Sequence, residues 1–243
     1  MSYRARSAHS GGAYSCVEIL VALYFNVMRV FPKNAEDHRR DRLIFSKAHD
    51  AKALYGVLAE RGFFPKKILD KYEVDDGILP GHSTRHCVPG VEVSAGALGH
   101  WLSMAVGMAW ALKHRTPRVF AVLSDGECDE GSTWEAALFA GHHKLNKLTV
   151  IIDYNKLQGY GFTKDVLDLE PFADKWKAFG FAVKEVDGHS FEALIPALSS
   201  VHDKPLAVIA HTIKGLGGPK QHIGKVSSQY KPPTEEEYEN YIR

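Results

Sequence analysis

Two short apolar runs, RVFAVL at 118–123 and LTVIID at 148–153, bracket a segment of helical spacing at 132–144. Neither run alternates apolar with polar residues, so neither strand can keep one face in water. Strands buried on both faces and joined through a helix form a parallel sheet with helices above and below it. The rest of the chain repeats the pattern. Strand-like runs fall at 43–46, 181–186 and 206–210, and helical spacing at 16–29, 51–62, 99–113, 171–179 and 190–202. Residues 74–96 and 154–170 read as long loops. Thr234 and Glu237 have capping-box spacing for a last short helix. The expected fold is α/β, a parallel sheet covered by helices on both faces, with 1–243 forming a single domain.

Bulk properties remove several functions. The net charge is +1 and no basic block is present, which argues against a nucleic-acid partner. Cys16, Cys87 and Cys128 are far apart and form no CxxC pair. That argues against a zinc site or disulfides and fits a reducing, cytoplasmic location. The start, MSYRARSAHSGG, lacks the apolar stretch of a signal peptide. Residues 97–112 are the most apolar segment, but they carry His100 and are too short to span a bilayer, so no membrane contact is expected.

The βαβ unit at 118–153 makes a geometric statement. Its two strands are expected side by side, about 4.8 Å apart, with their C-terminal ends on one edge of the sheet. Open α/β sheets bind ligands at that edge. Asp125 follows the first strand and Asn155 the second, so both reach one small volume. An Asp there can be only a helix cap, and an Asn only a turn residue. Together, with Gly126 and Gly131 between them, they form a set of hard oxygen donors suited to Mg²⁺ or Ca²⁺. The following helix N-terminus adds N–H groups suited to phosphate. A metal beside a phosphate cradle points to a metal–diphosphate ligand.

The stretch SDGECDEG (124–131), followed by DYNKLQ (153–158), resembles the thiamine diphosphate fingerprint, GDG with an Asn about thirty residues on. SAHSGGAYS (7–15), SKAHDAKALY (46–55), LPGHSTRHCVPGVEVSAGALG (79–99) and HTIKGLGG (211–218) extend the likeness over nearly the whole chain. They resemble transketolase, and most closely the N-terminal subunit of split transketolases. GYGFTK (159–164) and KGLGG are partial glycine motifs that do not support a nicotinamide site.

The resemblance implies a thiamine diphosphate pyrophosphate-binding (PP) domain and a role for each matching residue. Asp125 and Asn155 would be side-chain ligands of Mg²⁺, with Ca²⁺ able to substitute, and Leu157 would give a backbone carbonyl. Gly126 would meet the diphosphate, His49 the diphosphate and the substrate channel, and Gly96 and Leu98 the cofactor rings. His9 and His82 would line the channel, and with His49 they are the candidate catalytic residues. Glu130 and Glu135 would stand at a subunit contact. The implied partners are a second copy of this chain in an α₂β₂ assembly, sugar or sugar-phosphate substrates, and the C-terminal, pyrimidine-binding subunit.

Departures accompany the likeness. Ser124 replaces the first Gly of GDG, and His100 stands where the family has Gln. Gln229 or Tyr230 stands where the family has a histidine near the C-terminus, with His222 an unaligned substitute. Relative to the family, ten to twenty residues are expected to be missing before SYRARSAH. The glutamate that protonates the cofactor's N1′ belongs in this family to the other domain. Two alternatives stand beside the transketolase reading. One is another thiamine-dependent transferase subunit, dehydrogenase-α-like or deoxyxylulose-phosphate-synthase-like. The other is a non-catalytic Mg²⁺–diphosphate module.

Overall fold

A computed structural model describes residues 1–242. Its five strands form one all-parallel sheet: β1 Arg42–Phe45, β2 Val119–Ser124, β3 Leu148–Tyr154, β4 Ala182–Asp187 and β5 Leu206–His211. The spatial order is β1-β2-β3-β5-β4. Each strand lies within a residue of its expected bounds. Between and around them run α1 Ser2–Ala5, α2 Ser10–Ser15, α3 Val17–Ala22, α4 Ala51–Arg61, α5 Trp101–Ala111, α6 Gly131–His142, α7 Thr163–Val166, α8 Phe172–Ala178, α9 Phe191–Ser199, α10 Ser227–Tyr230 and α11 Glu235–Ile242.

The uniform apolarity of the strands is explained by a core on each face. Successive side chains of a strand point to opposite faces. Phe120 and Val122 of β2 pack with Leu20, Leu54, Leu58 and Leu198, from α3, α4 and α9. Val119, Ala121 and Leu123 pack on the other face with Leu102, Ala105, Ala137 and Trp176, from α5, α6 and α8. Each fully buried Val, Leu or Phe among them contributes about 1.5–3 kcal/mol.

Local signals set several ends. α4 stops at Gly62, whose φ of 89° suits glycine. The Ser190 hydroxyl accepts from Ala193 N–H at the start of α9. At α11 the capping box forms in both directions: Glu237 N–H donates to Thr234 Oγ1 (3.2 Å), and Thr234 N–H donates to Glu237 Oε2 (2.8 Å).

Three expectations change. The helical pattern at 16–29 is not one helix. α2 ends at Cys16, α3 follows, and a π-helical turn occupies Leu23–Val27. At the break, the Ser15 hydroxyl donates toward Gly12 O and Asp153 Oδ2. This tertiary pull overrides the apolar period. The loop 154–170 contains the turn α7 and an antiparallel bridge between Leu157 and Phe162. Finally, a 3₁₀ turn, Gly126–Asp129, lies between Asp125 and α6. All three cysteines are free. Among the described residues no helix is long and apolar enough to cross a membrane.

Helix spacing yields a paired test. A Cβ on Gly141 of α6 would collide with the backbone oxygen of Phe179, just past α8, whereas one on Gly107 of α5 meets nothing within 4 Å. Gly141→Ala is expected to destabilise the fold by about 1–3 kcal/mol through overpacking. Gly107→Ala is expected to stabilise it by about 0.5–1 kcal/mol through helix propensity. Urea unfolding of the two variants measures both signs.

Candidate functional site

The ends of β2 and β3 are in register, Ser124 opposite Asp153, so the residues just beyond them meet. Asp125 is 2% exposed. Its Oδ1 accepts from Gly126 N–H (2.8 Å), and its Oδ2 accepts from Lys156 N–H (2.7 Å) and the Thr163 hydroxyl (3.4 Å). Asn155 Oδ1 accepts from Leu157 N–H (3.1 Å), and Leu157 O accepts from Lys214 Nζ (2.8 Å). The three residues expected around a metal are thus tied together by bonds between their own loops. Burial, then the charge of Asp153, pushes Asp125 up to about 6.

A carboxylate, a carboxamide and a backbone carbonyl are hard donors that fit Mg²⁺ or Ca²⁺. Burial is the main cause of the raised pKa of Asp125, and a divalent ion beside the carboxylate would favour its charged form. Among the described residues no group of three or more His, Cys, Asp or Glu side chains could hold a metal. The expected set needs only one such side chain, Asp125, with diphosphate oxygens completing it. A 3₁₀ turn enters the expected phosphate cradle. Gly126 N–H is engaged by Asp125, and the helix α6 begins only at Gly131, beyond the 3₁₀ turn.

The three histidines converge from distant segments. His9 precedes α2 with a φ of 60°, His49 sits in the 3₁₀ turn Ala48–Asp50 after β1, and His82 lies in the long loop. The His9 ring is centred 5.4 Å from that of His49 and 6.4 Å from that of His82. Burial lowers the pKa of His9, and lowers that of His49 to about 4, so both rings are neutral near pH 7 and each keeps a lone pair that can accept a hydrogen bond. A Cβ on Gly96 would touch His82. Leu98 O contacts His100 Nδ1 at 2.9 Å.

The departures separate cleanly. Gln229 O accepts from His9 N–H (2.8 Å), which puts Gln229 beside the histidines. His222 does not join them. Its ring nitrogens face Ser227 Oγ (3.2 Å) and Glu237 Oε1 (2.8 Å), fastening the C-terminal helix. Glu130 and Glu135 are exposed. Glu130 lies against Gly99, and Glu135 lines a shallow depression with Trp110 and Phe139.

Sequence reasoning missed the floor of the site. Lys47 is fully buried, donates to Asp153 Oδ2 and Gly12 O, and lies 3.1 Å from Asp50 Oδ2. The Thr212 and Ser15 hydroxyls donate to the same Asp153. Glu127, also fully buried, accepts from the Ser46 hydroxyl and from Gly99 N–H, so it links β1 to the loop of Gly96 and Leu98. Burial pushes it up to about 7. One signal was available: Asp153 closes an otherwise apolar strand.

A family model described as transketolase, thiamine diphosphate binding domain, matches residues 2–240. The 6-deoxy-6-sulfo-D-fructose transketolase subunit SqwG of Clostridium sp. (strain MSTE9) is 40% identical over 94% of this chain and 84% of its own length. One of the subunits named for apulose-4-phosphate transketolase, from Phocaeicola vulgatus, is 41% identical over 99% of this chain and 87% of its own. The solved transketolase from Leishmania mexicana superposes with a TM-score of 0.90 at 28% identity. That alignment takes in 98% of this chain but 38% of the other, so the present chain spans little more than a third of that enzyme. These likenesses show that the chain belongs to the transketolase family, matching its thiamine diphosphate binding domain.

Proposed function

We propose that this chain is the N-terminal, pyrophosphate-binding subunit of a split transketolase. With a pyrimidine-binding partner chain it would move a two-carbon ketol unit from a ketose to an aldose. The observation that carries this reading is the 2.7 Å bond from Lys156 N–H to Asp125 Oδ2. It holds the carboxylate at the end of one strand against the loop that presents Asn155 and Leu157 at the end of the next.

Asp125, Asn155 and the Leu157 carbonyl would hold Mg²⁺, with Ca²⁺ able to replace it. Lys214, already on the Leu157 carbonyl, would add charge beside the diphosphate. Gly126 and His49 would meet the diphosphate, and Gly96 and Leu98 the rings. Thiamine diphosphate, when bound, supplies the carbon nucleophile needed to cleave the ketose C2–C3 bond. His9, His49 and His82 would face the sugar and accept hydrogen bonds from its hydroxyl groups, work suited to imidazoles. Two relatives are named for a sulfonated and a phosphorylated ketose, which supports an anionic ketose as substrate here.

The partner contacts follow from exposed apolar side chains. Met104, Trp110, Leu138 and Phe139 stand out from α5 and α6 beside Glu135, a face suited to a second copy in an α₂β₂ assembly. Tyr160, Phe162 and Leu167 stand out from the loop after β3, beside the proposed metal residues, where the pyrimidine-binding chain would dock.

Three outcomes test the proposal. Asp125→Asn removes the charge and keeps one of the two acceptor oxygens, and Asp125→Ala removes the charge and both oxygens. Each should lower thiamine diphosphate affinity by at least about tenfold, or ~1.4 kcal/mol. Unchanged calorimetric binding in both variants would reject the metal site. His82→Ala should lower turnover and donor affinity while cofactor binding stays near wild type. Parallel loss of both would contradict a role on the sugar side. The pure chain should show no ketol transfer, and a co-expressed pyrimidine-binding chain should restore it against phosphorylated, sulfonated or free ketoses. Robust turnover by the chain alone, with a co-purified partner excluded by mass spectrometry, would overturn the split.

A further inference from the structure

Asp50 occupies the N-cap position of α4, where an aspartate usually satisfies the first free N–H groups of the helix. Its carboxylate makes no such bond. It turns inward and is fully buried, and neither oxygen has a hydrogen-bond partner among the described residues. Oδ2 lies 3.1 Å from Lys47 Nζ and 3.3 Å from His49 Nε2. The neighbouring helix makes room for it, because a Cβ on Gly12 would run into Oδ2. A buried carboxylate that forgoes both its cap and its hydrogen bonds is costly. Its two close neighbours show where the compensation lies. Lys47 already has Asp153 and the Gly12 carbonyl. His49 has Asp50 alone at Nε2, and Nδ1 has no hydrogen-bond partner among the described residues.

We propose that Asp50 positions His49 by fixing its tautomer, with the proton on Nε2 beside the carboxylate and the lone pair on Nδ1. A neutral imidazole carries one N–H, and its partner decides which nitrogen bears it. A lone pair on Nε2 would face a carboxylate charge across 3.3 Å, whereas an N–H there is attracted to it. Burial keeps the ring neutral near pH 7, so the choice lies between the two neutral forms. The side chain remains 22% exposed, which leaves the ring accessible from the histidine cluster. His49 thus offers Nδ1 as a ready acceptor. Asp50 acts through His49 as an outer carboxylate does through a metal-bound histidine. That the acceptor serves a sugar hydroxyl rests on the proposed function; the tautomer does not.

Long-range ¹H–¹⁵N correlation spectra of the full chain, labelled at histidine, read the tautomer directly at pH 7. His49→Gln identifies the His49 signals by their loss. The expected wild-type pattern is a single Nε2–H form, with Nδ1 unprotonated. Asp50→Ala should convert it to an exchange-averaged pair of tautomers. An Nδ1–H form or an averaged pattern in the wild type overturns the proposal, whether or not the variant folds. So does an unchanged pattern in a folded Asp50→Ala. In the pair reconstituted with the partner chain, Asp50→Asn should reduce kcat about tenfold or more. An unchanged kcat would mean that the His49 tautomer does not matter to turnover. If the wild-type pair shows no ketol transfer at all, the proposed function fails, and the spectra still decide the role of Asp50.

Discussion

The buried ammonium of Lys47 is the constraint on which the site depends. Burial works against its charge, yet the carboxylates of Asp153 and Asp50 win, and its pKa stands well above that of a free lysine. Through it, the turn after β1 is tied to the end of β3, the Gly12 carbonyl of α2 and the first residue before α4. Thr212 brings the segment after β5 to the same Asp153. Removing one partner from such a cluster leaves an uncompensated buried charge, a loss of about 3–5 kcal/mol. The positions of His9 and His49, on two of the tied segments, follow from this cluster.

Burial and charge together set the rest of the pocket. Lys47 and Lys214 stand against Asp50, Asp125 and Asp153, all five buried. Buried Lys52 also faces Asp50, so cations match the carboxylates in number, and it is burial first, then the charge of Asp153, that pushes Asp125 up to about 6. The same region keeps His9 and His49 uncharged by desolvation. On the proposed reading, such a site would take a metal at the buried carboxylate and sugar hydroxyls at the neutral imidazoles.

The sheet and the meeting of Asp125 with Asn155 were legible in the sequence, because both follow from short-range rules. Uniform apolar runs require two covered faces, and adjacent parallel strands deliver their ends to one edge. The floor of the site was not legible. Lys47 and Asp153 are 106 residues apart, and Ser15 and Asp153 are 138 apart. In the sequence, Lys47 looks like any solvated lysine, and nothing local says that it is sealed. The break at Cys16 has the same origin, a hydroxyl drawn to a distant carboxylate. Asp50 reads as an ordinary cap in SKAHDAKALY, and only the lack of a side-chain cap bond at α4 reveals otherwise.

The order β1-β2-β3-β5-β4 has a consequence in time. β5, residues 206–211, lies between β3 and β4, so the middle of the sheet closes only after most of the chain has left the ribosome. Until then β3, whose seven residues are all buried in the finished fold, presents one edge without a strand. An apolar, unpaired edge is the kind of surface that invites other chains to pair with it. Thr212 and Lys214 follow β5 directly, so the buried Asp153 carboxylate of β3 and the Leu157 carbonyl of its loop receive these partners in the same event. For a nascent chain, escape from aggregation and completion of the charged pocket are one step.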